Sequence, residues 1–504
     1  MLTTALAACA GGTQTGAGSG ANPSRGTLLS STPELISTVP ASLLLLELGA
    51  ISNQQLLTLG GTPFCDVLSF RIRYATVGGA NEYSTASGAL MMPTGTDPRC
   101  RGARPLLLYA HGTTTDRSLD IANLDDTNNV EGRLIAAVFA AQGYIVVAPN
   151  YAGYDTSSLA YHPYLNGDQQ SKDMIDALTA ARKALAVPYV PGSSDADRLY
   201  ISGYSQGGYV AMATHRALAA AGMAVTASAP MSGPYALAAF VDAVFAGRVS
   251  LEAPLVTAYL ITAYQRSFGG IYSGATEVFE AQYAAGIQTL LPSTTPRSGL
   301  YSQGKVPQSA LFAATPPSSA FADITPATTP AAFAALYAQG FGANNLIMNS
   351  YRLSYLLDAQ AHPDGGWPSV SDGLPAASPS LAWRKALKRN DLRDWVPTTP
   401  VLLCGGSGDP TVFWLNTQLM QGYWNSKGMP PTAYTVLDVD SAPGSGDPYA
   451  TLKDDFAVAK TAVAVAAIAN GATDGGAGEV RLVYHSALVP PFCLAAVRSF
   501  FAGH

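Results

Sequence analysis

The chain has 504 residues, 48% of them hydrophobic and only 12% charged, with a formal net charge of −6. That length exceeds one simple core and predicts two domains or one domain carrying a large insertion. So sparse and slightly acidic a charge gives no electrostatic footprint for nucleic acid or an anionic membrane surface, and the apolar runs at 43–48 and 463–469 are too short to span a bilayer.

The first residues read as targeting sequence. Leu6-Ala7-Ala8-Cys9 resembles a bacterial lipoprotein cleavage box, and a Gly/Thr/Ser-rich stretch runs on to Arg25 as a flexible tether. Only eight residues precede Cys9 and none is basic, so residues 1–32 are expected to be a truncated signal remnant plus tether. The competing reading is an incidental cysteine in a disordered tail. The former implies an exported protein (secreted, periplasmic or outer-membrane), attached to a membrane only through a lipidated Cys9. Four further cysteines, Cys65, Cys100, Cys404 and Cys493, suit two disulfides in such a setting. Of three possible pairings, Cys65–Cys100 and Cys404–Cys493 are favoured over buried free thiols.

From residue 66 the pattern is a β-meander, 67–77 and 85–92, turned by the Gly/Asn segment 78–81. A short apolar run, Leu106-Leu107-Leu108, ends in His111-Gly112-Thr113-Thr114. Residues 131–142 have helical spacing and stop at Gly143, and 144–149 is a buried strand. An amphipathic helix at 171–187 precedes a strand at 197–202, a helix at 209–218 and an apolar stretch at 224–229. Strands alternating with helices predict a mostly parallel sheet covered on both faces, an α/β fold. The rhythm stops near Ser232. Apolar helical patterns (240–245, 251–264, 331–337, 346–357) then alternate with Pro/Ser/Thr-rich loops, and the rhythm resumes at 400–404, 413–425 and 432–439. The expected organisation is a core in two parts, 33–235 and 395–504, interrupted by a helical insertion at 236–394.

Gly203-Tyr204-Ser205-Gln206-Gly207 lies between the strand at 197–202 and the helix at 209–218. That context makes it a nucleophile elbow, a sharp turn that exposes a serine Oγ at the top of a sheet. A serine hydroxyl needs an imidazole to take its proton and an acid to hold the imidazole's tautomer, in the chain order Ser, Asp or Glu, His. His485, expected at the end of an apolar strand 480–487, is the candidate base. His504 is terminal, His362 belongs in a loop of the insertion and His215 is read as packed or capped. Asp409, in the glycine-rich loop Gly405-Gly406-Ser407-Gly408-Asp409, is the candidate acid, with Asp438 and Asp440 as alternatives. Oxyanion donors are expected from the backbone N–H groups of Gln206 and Thr113. His111 is read as shaping the Thr113 loop.

Together these segments resemble the secretory-lipase, lipase-like serine esterase branch of the α/β-hydrolase superfamily. The marks are Tyr109-Ala110-His111-Gly112-Thr113, Val147-Ala148-Pro149-Asn150-Tyr151-Ala152-Gly153, Tyr161-His162-Pro163-Tyr164-Leu165, the helix with Ser171 and Asp176, Gly203–Gly208 around Ser205, and Trp395-Val396-Pro397. The family usually has Asp-Tyr after the proline; Asn150 here is read as supporting the loop. The interval from Asp409 to His485 is also long, with a Gly/Asp-rich stretch at 441–455 and an Ala-rich helix at 456–470. The resemblance implies an α/β-hydrolase fold in which the insertion is a lid or cap over an acyl pocket. Its apolar composition agrees, and favours esters with a hydrophobic acyl or aryl part, polyesters included. The expectation is therefore a carboxylic-ester hydrolase (lipase or esterase). The alternatives are a peptidase of the prolyl-oligopeptidase sort, or a non-catalytic surface lipoprotein keeping the fold. No metal-ligand spacing or phosphate- or dinucleotide-binding glycine loop is present in the sequence, so no cofactor is implied.

Overall fold

The computed structural model describes residues 22–51, 61–186, 192–365 and 374–504; Cys9 lies outside them. Among the described residues nine strands form one sheet: β1 (Glu34–Val39), β2 (Asp66–Val77), β3 (Tyr83–Thr94), β4 (Gly102–Ala110), β5 (Ile145–Pro149), β6 (Ser193–Tyr204), β7 (Ala227–Met231), β8 (Val401–Gly405) and β9 (Tyr434–Asp438). Their order is β1-β2-β3-β5-β4-β6-β7-β8-β9. β1, β2, β3 and β5 pair antiparallel, and every pair from β5 to β9 is parallel.

The apolar runs follow from burial on both faces. In β4, Leu106 and Leu108 join one core cluster and Leu107 and Tyr109 the other. β5 divides in the same way, with Ile145 and Val147 on one side and Val146 and Ala148 on the other. The first face is covered by the helices Gly167–Leu185 and Gln206–Ala220, the second by Val130–Val138 and Val489–Ala502. Gly143, predicted to stop a helix, does so at φ 91° after a 3₁₀ turn, Ala140–Gln142.

Between β7 and β8 the described residues form helices and turns and no strand, chiefly Leu237–Phe245, Ala253–Phe268, Asn349–Ala361 and Ala382–Arg389. Their apolar side chains belong to the first core cluster, so this segment is continuous with the sheet's packing. Two buried arginines hold four of its carboxylates. Arg384 pairs with Asp242 at 2.7 Å and Asp358 at 2.8 Å; Arg393 pairs with Asp364 at 2.6 Å and Asp391 at 2.8 Å. Asp391 also accepts the Ala238 N–H at 3.0 Å, near the start of Leu237–Phe245. Both favoured disulfides are present, Cys65–Cys100 and Cys404–Cys493.

One predicted element is corrected. Residues 480–487 are not a strand: Ala477–Val483 is a helix, running through a π-helical turn, Tyr484–Leu488, into Val489–Ala502. The alternation of Val480, Leu482 and Tyr484 imitates a strand, but Leu482 is exposed while Val480, Val483 and Tyr484 pack inward at helical spacing. The same stretch, 477–502, is apolar and long enough to cross a membrane by composition, contrary to the reading of the shorter runs; 61% of its apolar 18-residue window is buried within this fold. β1 and Ala382–Arg389 were not anticipated.

Arg393 is fully buried between two carboxylates, and removing one partner of a buried ion pair costs about 3–5 kcal/mol. Arg393→Met is therefore expected to lower unfolding free energy by about that amount in urea titration. A loss under about 1 kcal/mol would mean the cluster does not fasten the insertion.

Candidate active site

β6 ends at Tyr204, and the helix Gln206–Ala220 begins one residue later. The residue between them, Ser205, takes φ 60°, ψ −121°, a conformation costing a non-glycine residue about 1–3 kcal/mol. Neighbouring glycines make room for it. A Cβ on Gly203 would meet Gly207 O at 2.4 Å and Ala110 O at 2.5 Å, and one on Gly207 would meet Ala110 O at 1.9 Å. The Ser205 N–H donates to Met231 O at 2.9 Å, tying the turn to the end of β7.

The sheet brings the other two predicted residues to that serine. Asp409 follows β8, and its Oδ1 accepts the N–H groups of Thr411 (2.9 Å) and Val412 (3.0 Å). Its Oδ2 accepts from His485 Nδ1–H at 2.6 Å. That donation leaves His485 Nε2 as acceptor for Ser205 Oγ–H at 2.8 Å. The Tyr204 hydroxyl donates to His485 O at 2.6 Å, so the residue before the serine holds the imidazole's backbone.

The alternative acids serve the loop instead. Asp438 Oδ1 accepts the N–H groups of Ser407 (2.9 Å) and Asp440 (3.0 Å). Asp440 accepts the Tyr484 hydroxyl at 2.7 Å and pairs with Lys460, while Tyr484 Oη accepts the Gly408 N–H at 3.1 Å. Asp440 and Tyr484 thus buttress the loop that carries Asp409.

Thr113 and Gln206 both line the cavity beside Ser205. The Gln206 side chain donates to His162 Nε2 at 2.8 Å, and His162 Nδ1 donates to Ala152 O at 2.9 Å. Burial pulls His162 down to about 3, so the ring stays neutral and keeps that acceptor. His111, held down to about 4 by burial, has Gly112 O at 2.7 Å from Nδ1 and Asn150 O at 3.2 Å from Nε2. A neutral imidazole donates from one nitrogen only, and the shorter contact assigns the proton to Nδ1. Donation to Gly112 O fixes the plane of the peptide that carries the Thr113 N–H. Asn150 supports this loop as expected, accepting the Ile121 N–H at 2.8 Å and donating to Ser87 Oγ at 3.0 Å.

Glu131 was read only as the start of a helix. Its carboxylate accepts the Gly112 N–H at 3.0 and 3.1 Å and the Tyr109 hydroxyl at 2.8 Å. Burial pushes it up to about 7, against the opposing effect of the two donors. An acidic residue in a helix's first turn is its only mark in the sequence. The remaining histidines lie elsewhere: His215 is buried between Ser228 and Thr399, His362 meets Ser380, and His504 meets Phe500.

The serine opens into a cavity of about 310 Å³. One wall belongs to the insertion (Leu237, Phe240, Val241, Val244, Leu260), another to the core (Leu134, Tyr204, Leu494), and the paired Glu252 and Arg297 line it as well. Val130 and Leu482 line it while more than half exposed, which marks its mouth. Among the described residues no cluster of His, Cys, Asp and Glu could hold a metal ion.

The model of the prolyl oligopeptidase family matches residues 131–249, which include the elbow. No curated protein is significantly similar to the chain. Among solved structures, the rice cell wall degrading esterase LipA from Xanthomonas oryzae aligns at 25% identity over 95% of this chain and 98% of that one, with a TM-score of 0.66. A structure from Legionella pneumophila aligns at 20% identity over 80% of this chain and 90% of that one, with a TM-score of 0.60, and bears on the fold alone. With its mostly parallel sheet, its elbow and these likenesses, the chain is a member of the α/β-hydrolase superfamily that resembles the lipase-like esterases.

Proposed function

We propose that the protein is a serine carboxylic-ester hydrolase whose nucleophile, base and acid are Ser205, His485 and Asp409. The observation that carries this reading is the unbroken hydrogen-bond chain from Asp409 Oδ2 through His485 to Ser205 Oγ, at 2.6 and 2.8 Å, facing a mainly apolar cavity. As Ser205 Oγ attacks the ester carbonyl carbon, its proton passes to His485 Nε2, and Asp409 stabilises the imidazolium. The carbonyl oxygen, now an oxyanion, accepts from the backbone N–H groups of Gln206 and Thr113. Collapse expels the alcohol, which takes the proton from His485. Water then enters by the same base and releases the acid.

Similarity to a cell wall degrading esterase supports ester cleavage, and the apolar walls support a hydrophobic acyl or aryl group. The insertion acts as the cap of this pocket. The family-model match favours a second reading, a peptidase, though it covers the elbow region that both chemistries share. A non-catalytic surface lipoprotein has no use for the assembled hydrogen-bond chain. The two disulfides support folding in an oxidising compartment outside the cytoplasm, and lipidation of Cys9 is the proposed attachment.

Ser205→Ala is expected to cut kcat/KM on p-nitrophenyl esters by roughly 10⁴-fold or more with unfolding near wild type. Retained turnover would sink the assignment, and turnover of prolyl peptides but no ester would favour the peptidase. Asp409→Asn should cost roughly 10³–10⁴-fold in kcat, and Asp440→Asn less than about tenfold. The reverse order would make Asp440 the acid.

Glu131 supplies a pH signature of its own. Its folded pKa of about 7 lies above the ordinary 4.5, so the folded state binds the extra proton and loses stability as pH rises through that window. Glu131→Gln removes this loss. The variant is expected to gain on the wild type by on the order of 1 kcal/mol between pH 5 and pH 8 in urea unfolding. Parallel curves would show that Glu131 titrates like an exposed carboxyl.

A further inference from the structure

The loop that carries Thr113 is fastened at every residue from Gly112 to Thr115. The Gly112 N–H goes to Glu131, the Tyr154 hydroxyl donates to Thr114 O at 2.7 Å, and Thr115 O accepts the Ser293 N–H at 2.7 Å. Thr113 is held by its side chain, with Oγ1 2.8 Å from the Tyr164 hydroxyl. Tyr164 is fixed by the insertion, stacked on Tyr259 of Ala253–Phe268 at 4.6 Å and 3°. The Tyr259 hydroxyl donates at 2.8 Å to Tyr154 Oη, whose own proton goes to Thr114 O.

The Thr113 and Tyr164 hydroxyls share one hydrogen bond, and burial decides which of them donates. Among the described residues neither hydroxyl has a second partner. Tyr164 is 3% exposed and Thr113 partly exposed, and both line the cavity with Ser205 and Gln206. Were Thr113 the donor, the Tyr164 proton would be left unpaired in the interior, a costly arrangement for a buried tyrosine. Tyr164 O–H therefore donates to Thr113 Oγ1, and burial, which pushes Tyr164 up to about 12, keeps that proton in place. A hydroxyl carries one proton, and that of Thr113 is then without an acceptor among the described residues. It belongs to the cavity wall next to the nucleophile: a Cβ on the preceding Gly112 would stand 3.8 Å from Ser205 Cβ.

We propose that the Thr113 hydroxyl is a third oxyanion donor, beside the backbone N–H groups of Thr113 and Gln206, and that Tyr164 is the positioning residue that turns it toward the substrate. The inference rests on the esterase reading above. As Ser205 Oγ bonds to the carbonyl carbon, the carbonyl π pair moves onto oxygen, and Thr113 Oγ1–H donates a hydrogen bond to it without giving up the proton. Donation from Tyr164 polarises that O–H, so the bond strengthens where negative charge develops. The ground-state carbonyl is a weaker acceptor, so the contribution falls on kcat and not on KM.

The test is a double-mutant cycle on the full chain with p-nitrophenyl butyrate. Thr113→Val keeps the backbone N–H and the branched shape and removes only the hydroxyl. Its kcat and kcat/KM are expected to fall together by roughly 30- to 100-fold, with KM within about twofold of wild type. Thr113→Ser, which restores a hydroxyl, should recover all but about fivefold of that loss. Tyr164→Phe should cost roughly 3- to 10-fold in kcat when Thr113 is present, but less than about twofold in Thr113→Val, where no hydroxyl is left to orient. Thr113→Ala repeats the cycle if the valine variant does not fold. A loss below about threefold in Thr113→Val, or a Tyr164→Phe cost that is the same with and without the Thr113 hydroxyl, overturns this proposal alone. Absence of wild-type turnover on every ester overturns the esterase reading and this proposal with it.

Discussion

Everything at this site depends on how closely two backbones approach. Ala110, at the end of β4, comes so near Gly203 and Gly207 that no side chain fits at either position. That approach holds Ser205 at a positive φ, and the strain persists because β4, β7 and the following helix all fix the turn. With the turn fixed, the serine hydroxyl stands where β8 and the C-terminal helical segment deliver Asp409 and His485. The elbow is thus a product of sheet packing before it is a feature of chemistry.

The insertion completes the site from the other side. It shares the core cluster of the sheet's first face, and its buried carboxylates Asp242, Asp358, Asp364 and Asp391 are held by Arg384 and Arg393. Such pairs add little net stability but penalise any arrangement that leaves one partner alone. The helix that lines the cavity is therefore a wall whose position is tightly specified. Behind the Asp409 loop, Asp438, Asp440 and Tyr484 do comparable work, turning a Gly-rich stretch into a defined support.

How much could be read from the chain depends on how local each signal is. Strands buried on both faces, such as β4, β5 and β6, announce themselves as short apolar runs between turn residues. The elbow, the Asp409 loop and the chain order of the three groups were equally plain. β1 was not, because as an edge strand it exposes much of its length and its sequence, ELISTV, is mixed. The segment 480–487 misled because a short alternation fits two periods. Partnerships across space left no trace at all: Arg384 meets Asp242 from 142 positions away, and Glu131 reaches Gly112 from a neighbouring helix.

The Cys404–Cys493 disulfide joins β8, just before Asp409, to the helix just after His485. Cys493 lies eight residues beyond His485, within Val489–Ala502. Local opening of Val489–Ala502 beyond Cys493 can travel back only as far as that cysteine, where a covalent bond to the sheet stops it. The imidazole is thereby placed on the protected side of a stop: the helix beyond Cys493 can breathe without His485 leaving Asp409.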